Sequence, residues 1–270
     1  MGILTKRTPW EREFREVWKR EQKFLRQYAE KKESPIDSAI EGIAPEKLLR
    51  TLHGAFEKAF ALVFEKGSGL IQKAARQTDR QREYRVREYA LDLRENRKNL
   101  RSFSKAADKA GRGSVLLSGA AGVGMGFFGV ALPDVPLFTA MLLKSVYETA
   151  ESFGFPCEGE TERLYALRII EAALSDGEEL RERSRELDEY AQSGRWARPA
   201  DLRGQIKATA HQVSEAVLYG KALQSVPVVG AVGGVGDVVC LSRVRRYAAI
   251  KYRKRFLIRR RMAGGLMVWK

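Results

Sequence analysis

Asp134 and Asp237 are the only acids within two apolar, glycine-rich stretches, Ser114 to Leu143 and Ser225 to Leu241. Two carboxylates in apolar surroundings can hold a proton or a cation, but a simpler role is to accept hydrogen bonds from the free amides where a helix begins. Gly124-Met125-Gly126-Phe127-Phe128-Gly129 fits the letters of a dinucleotide-binding turn. That turn works only between a strand and a helix N-terminus, and here it lies inside an apolar run leading to Pro133. There is no Gly-Lys-Ser/Thr phosphate loop. His53 and His211 have no evident nucleophile partner, and Cys157 and Cys240 form no close Cys/His pair that could hold zinc. No catalytic residue, metal or cofactor is expected, and the protein is not expected to be an enzyme.

Positive charge is plentiful instead: 49 Lys and Arg stand against 34 Asp and Glu, a formal net charge of +15. Such an excess attracts polyanions. It is most polarised near the C-terminus, in Arg243, Arg245, Arg246, Lys251, Arg253, Lys254, Arg255, Arg259, Arg260 and Arg261, with Tyr247, Tyr252, Phe256 and Leu257 interleaved and no acid from Arg243 onward. These ten residues are the expected contact with an anionic membrane or another polyanion. No nucleic-acid recognition motif accompanies them, so nucleic acid is not the expected partner. Two cysteines cannot staple a chain of 270 residues, which favours a reducing, cytoplasmic compartment. The start, MGILTKRTPWEREF, lacks the apolar core of a secretion signal.

The elements that must position these residues read as helices throughout, with no sustained period-two alternation. Thr8-Pro9-Trp10-Glu11 is a capping box with proline at the first helical position. Behind it Trp10, Phe14, Val17, Trp18, Phe24, Leu25 and Tyr28 recur at helical spacing among basic residues. Such a stripe suits either a bilayer interface or packing on the rest of the chain, and Glu11, Glu13, Glu16 and Glu21 weaken its attraction to an anionic surface. Pro45 to Phe64 carries a wide apolar face, and Leu70 to Ala110 reads as one long, highly charged helix. Ser118, Gly122 and Gly126 fall every four residues, as do Gly230 and Gly234, giving flat strips for close helix packing. The first glycine-rich run and the helix after Pro136 should form an apolar hairpin turning near Leu132 to Pro136. Gly154 and Pro156 stop the second arm, and Leu164, Leu167, Ile170 and Leu174 mark an amphipathic helix after it. The expected architecture is an all-α multi-helix bundle organised around the two glycine-rich segments. It divides into a basic N-terminal helix and linker (1–40), a helical domain (41–262) and a tail (263–270).

Three blocks in this order resemble the EcsC protein family: the helix from Ile43 to Phe64; the glycine-rich run with Leu132-Pro133-Asp134-Val135-Pro136 and a helix ending in Phe153-Gly154-Phe155; and Val226-Pro227-Val228-Val229-Gly230-Ala231 before a basic helix. The resemblance spans roughly Glu41 to Arg261, with Phe153 where the family usually has Tyr. It implies kinship with a bacterial protein encoded beside the components of an ABC transporter, and it brings no agreed activity and no catalytic residues. Gly122, Gly126, Asp134, Pro136, Gly154, Pro227 and Gly230 would be its signature positions, in structural roles. The expected function is therefore non-enzymatic: a cytoplasmic protein peripheral to the inner membrane that binds anionic lipid or a membrane transporter. The competing reading is a soluble interaction module without membrane contact. Oligomeric state is left open.

Overall fold

Helix α1 (Pro9–Gln27) begins as its sequence dictates: Glu11 N–H donates to Thr8 Oγ1 at 3.2 Å, and Thr8 N–H donates to the Glu11 carboxylate at 2.9 Å. The computed structural model describes residues 7–29, 46–64, 77–110, 135–198, 201–225 and 235–263. Eight more helices follow among them: α2 (Glu46–Leu62), α3 (Gln77–Leu93), α4 (97–110), α5 (Val135–Ser152), α6 (Glu160–Leu174), α7 (Gly177–Ser193), α8 (Leu202–Ser225) and α9 (Val235–Ala263). No strand occurs among the described residues. The chain is all-α, a multi-helix bundle.

At the centre lie α6 and α9. Helix α9 packs against α1, α5, α6, α7 and α8, while α2 lies across α5 and α8, and α3 leans on α5. Sequence spacing predicts an amphipathic α6, yet Leu164, Tyr165, Ala166, Leu167, Ile169, Ile170, Ala172, Ala173 and Leu174 are all buried. A helix buried on most of its circumference is what the middle of a bundle requires, and its buried Glu162 and Glu171 are paired with Arg255 and Arg183. Each buried Leu or Ile contributes about 1.5–3 kcal/mol relative to exposure. The division at residue 40 does not describe this core, since Trp10, Val17 and Phe24 belong to the same apolar cluster as Phe56, Ile170 and Phe256. Of the two readings of the α1 stripe, its buried side takes the packing one.

The single charged helix expected before residue 110 is two helices, broken at Arg94, Glu95 and Asn96. Asn96 accepts from the Asn99 amide at 2.9 Å, and the Asn99 side chain donates back to the carbonyls of Ala90 and Arg94, both at 2.9 Å. Asparagine at a helix start offers the backbone such an alternative to continuing the helix. Helix α5 carries Pro136 as its second residue and is followed by a turn at Gly154, whose φ is +76°. The glycine-rich runs expected to organise the fold, with Gly122, Gly126, Asp134, Pro227, Gly230 and Gly234, lie outside the described residues, as does the end of the expected linker, from residue 30 to 40. Asp237 falls within α9, but its side chain lies outside them too.

Candidate functional site

The ten C-terminal cations lie on α9, and the packing of that helix decides what they can touch. Lys251, Arg253 and Lys254 are buried. Lys251 Nζ bonds the Glu21 carboxylate, the Ser184 carbonyl at 2.8 Å and Asp188 at 2.8 Å; Lys254 bonds Glu21 and, at 2.7 Å, Asp188. Arg253 bonds Glu13, which also accepts from Arg97 at 2.7 Å and Arg101 at 3.1 Å. Burying a charge is costly unless it is paired and hydrogen-bonded, and here carboxylates from α1 and α7 supply the pairing. Beside them, burial works against ionisation of Glu16, but the Arg101 hydrogen bond and the charges of Arg253, Arg101 and Arg20 outweigh it and hold the carboxyl down at about 2.

The remaining seven are mostly occupied as well. Arg255 Nη1 donates to both Glu162 oxygens, at 2.9 and 2.8 Å, with its guanidinium over the rings of Phe155 and Tyr165. Arg259 donates to the carbonyls of Gly154 and Phe153 and to Tyr84, Arg260 to Asp92 at 2.6 Å, and Arg243 to the Ser175 carbonyl and Asp176. Arg261 lies over the Trp10 ring, and Arg246 donates to the Tyr28 hydroxyl at 2.9 Å. Arg245 is half-buried and Arg246 alone of the ten is exposed. The polybasic surface expected from these ten residues is therefore corrected: Lys251, Arg253 and Lys254 are beyond the reach of a membrane. Most of the others are turned to carboxylates, carbonyls and rings of neighbouring helices. The interleaved Tyr247, Tyr252, Phe256 and Leu257 are buried as well.

The surface that α9 gives up appears on α1. Arg12, Arg15, Lys19, Lys23 and Arg26 are all exposed, at spacings of three or four that place them on one strip of the helix, with Trp18 48% exposed at its flank. No carboxylate competes on that strip. Glu13 and Glu21 point inward to the α9 cations, Glu16 takes Arg20, Arg97 and Arg101, and Glu11 closes the capping box. Sequence reasoning counted these glutamates against the strip. The signal it missed is their phase: Glu13 and Glu21 fall on the apolar side of α1, with Trp10, Val17 and Phe24.

His53 on α2 and His211 on α8 meet edge to face with ring centroids 5.4 Å apart, and His211 lies 3.7 Å from Glu215. Among the described residues no group of three or more His, Cys, Asp or Glu could hold a metal ion. Cys157 and Cys240 are both free and buried. Glu151 is buried, and its Oε2 has no hydrogen-bond partner among the described residues. Burial pushes its carboxyl up to about 8; Arg80 opposes this, and Glu148 and Glu158 add to it. A folded-state value raised above the ordinary 4.5 means stability that is fully present below pH 4.5 and is lost as pH rises toward and through 8. Glu151→Gln should therefore raise the melting temperature at pH 8–9 by several degrees and change it little at pH 4.5, as followed by circular dichroism. A gain equal at both pH values would show that the carboxyl does not titrate with folding.

No helix of the described residues is long and apolar enough to cross a membrane. What the fold and its charges define is an α-helical protein whose internal cations are neutralised from α1, α6 and α7 while α1 shows a cationic strip to solvent. The chain belongs to the EcsC protein family, whose model matches residues 11–257 and so takes in α1 as well as the domain expected from residue 41. No curated protein and no solved structure matches it.

Proposed function

We propose that this EcsC-family protein is non-enzymatic and cytoplasmic, and that it works peripherally at the inner membrane by binding anionic lipid through the outer strip of α1. The observation that carries the reading is the exposure of Arg12, Arg15, Lys19, Lys23 and Arg26 with every α1 glutamate engaged elsewhere. Each Lys or Arg near an anionic surface contributes about 1 kcal/mol, so three or four engaged at once suffice for measurable binding. Trp18 adds an amphipathic ring suited to headgroup depth.

Cosedimentation with vesicles tests this. The intact protein should pellet with anionic phosphatidylglycerol vesicles and not with phosphatidylcholine alone. Binding should fall sharply between 0.1 and 1 M salt as the Debye length shrinks from about 10 to about 3 Å. A variant with Arg12, Arg15, Lys19 and Arg26 changed to Gln should lose most of the bound fraction at an unchanged melting temperature. If the intact chain ignores anionic vesicles at low salt, or the variant binds them equally well, the soluble interaction module takes its place. Salt-insensitive retention by native membranes alone would point to a membrane transporter of the ABC type as the partner.

A further inference from the structure

We propose that the cleft enclosed by α1, α4 and α9 binds the phosphate-bearing end of a single anionic phospholipid. This rests on the membrane reading above and goes beyond it, from attraction by a surface to recognition in a site. The cleft has a volume of about 240 Å³. That is below the few hundred to a thousand Å³ of pockets that swallow drug-sized molecules whole. It has room for a headgroup and the first carbons behind it, with the remaining chain left outside.

Its lining is divided as such a ligand requires. Val17, Phe24, Phe153 and Ile250 line it and are buried, giving an apolar floor. Arg20, Lys23 and Arg246 line it and are exposed, giving a cationic rim. Arg245 and Arg253 bring the lining cations to five, against the single carboxylate of Asp108. Arg20 is set against Glu16 and Arg253 against Glu13, but Lys23 makes no ion pair among the described residues. A polar residue stands in the wall of the same cleft. Ser104, on the α4 wall, has a buried Oγ with no hydrogen-bond partner among the described residues. Buried hydroxyls are seldom left so, and a rotation of this side chain toward the cleft would bring it to a phosphate oxygen, a strong acceptor. The rim selects the phosphate, and the floor selects a phosphate that carries an apolar body.

Isothermal titration of the full chain with four probes separates the sources: short-chain phosphatidylglycerol below its micelle concentration, short-chain phosphatidylcholine, glycerol 3-phosphate and inorganic phosphate. Phosphatidylglycerol should bind at least about tenfold more tightly than the other three, about 1.4 kcal/mol. Lys23→Gln and Arg246→Gln should each weaken it several-fold, and both together by about tenfold or more. Ala249→Phe, which fills the cleft from α9, should abolish binding while the melting temperature stays close to that of the parent. Equal binding of glycerol 3-phosphate or phosphate would make the site one for free anions, and equal binding of phosphatidylcholine would make it an apolar hole; either result overturns the proposal. So does phosphatidylglycerol affinity that survives all three substitutions. The two readings fail separately. If the intact chain ignores vesicles but titrates short-chain phosphatidylglycerol, the membrane reading falls and the cleft stands. If vesicles bind and the titration is silent, the cleft falls and the strip stands.

Discussion

Replacing Glu21 with Leu should cost about 3–5 kcal/mol of folding stability, because it strands buried cations whose partner has gone. Lys251 and Lys254 both bond Glu21, and Glu21 and Lys251 are each 1% exposed, so water cannot substitute for the carboxylate. Asp188 would be left alone against two ammonium groups. At roughly 2–4 °C per kcal/mol for a domain of this size, the melting temperature should fall by on the order of 10 °C. The pH dependence follows from the same geometry. Burial works against the charged form of Glu21, but Lys251 and Lys254 outweigh it and hold the carboxyl below its ordinary 4.5. Burial likewise opposes Lys251, and Glu21, Tyr247 and Asp188 hold its ammonium above the ordinary 10.5. A lowered acid contributes stability that is present above pH 4.5 and lost as pH falls through the folded-state value. A raised base contributes stability that is present below pH 10.5 and lost as pH rises through its own. The cluster's contribution in the parent chain is therefore level between those limits; in Glu21→Leu the stranded ammonium groups lose their protons more readily, so the deficit should be largest near pH 5 and shrink toward pH 9. A second variant isolates the cause. With Lys251 and Lys254 changed to Met beside Glu21→Leu, apolar packing should recover much of the loss, as buried ion pairs commonly permit. A melting shift under about 2 °C for Glu21→Leu would mean that the cluster is not dry.

This cluster marks where the sequence stops being informative. The capping box of α1, the glycine end of α5 and the all-helical pattern depend on residues three or four apart, and each is found where its spacing puts it. The roles of the α9 cations depend on partners much farther along the chain: Arg253 finds Glu13, Lys251 finds Glu21, and Arg255 finds Glu162. In sequence α9 is a run of positive charge, and a run of positive charge reads as surface. Only the packing of α1, α6 and α7 around it shows that the run is answered internally, which transfers the cationic surface to α1. A trace of this was available. Glu13 and Glu21 recur at eight residues on the apolar side of α1, where a free carboxylate would be penalised, so that phase alone demanded buried cations somewhere in the chain. The α1–α4–α9 cleft had no comparable signal, because its three walls are brought together only by the tertiary fold.

The largest effect from a single methyl group is expected at Gly154. Its φ of +76° lies where L-residues are disfavoured, by about 1–2 kcal/mol. A Cβ there would also stand 2.5 Å from Tyr84 Cε2 and 2.7 Å from Cε1, and closer still to Cζ. The ring has little freedom to retreat. Its hydroxyl donates to Glu88 at 2.6 Å and accepts from Arg259 at 3.0 Å, and the Tyr84 and Phe103 rings meet edge to face with centroids 5.6 Å apart. Arg259 in turn holds the Gly154 carbonyl at 3.0 Å, so the turn after α5, α3 and α9 are fastened at one point. Overpacking in such a setting adds about 1–3 kcal/mol, and Gly154→Ala should lose about 2–5 kcal/mol in all. Backbone strain and ring clash can be told apart with a double-mutant cycle. In a Tyr84→Ala background the ring is gone, and Gly154→Ala should then cost only the backbone term of about 1–2 kcal/mol. Urea unfolding of the four proteins measures the coupling. A coupling of about 1–3 kcal/mol would locate the clash at Tyr84, whereas additivity within about 0.5 kcal/mol would show that Gly154 is required for its backbone conformation alone.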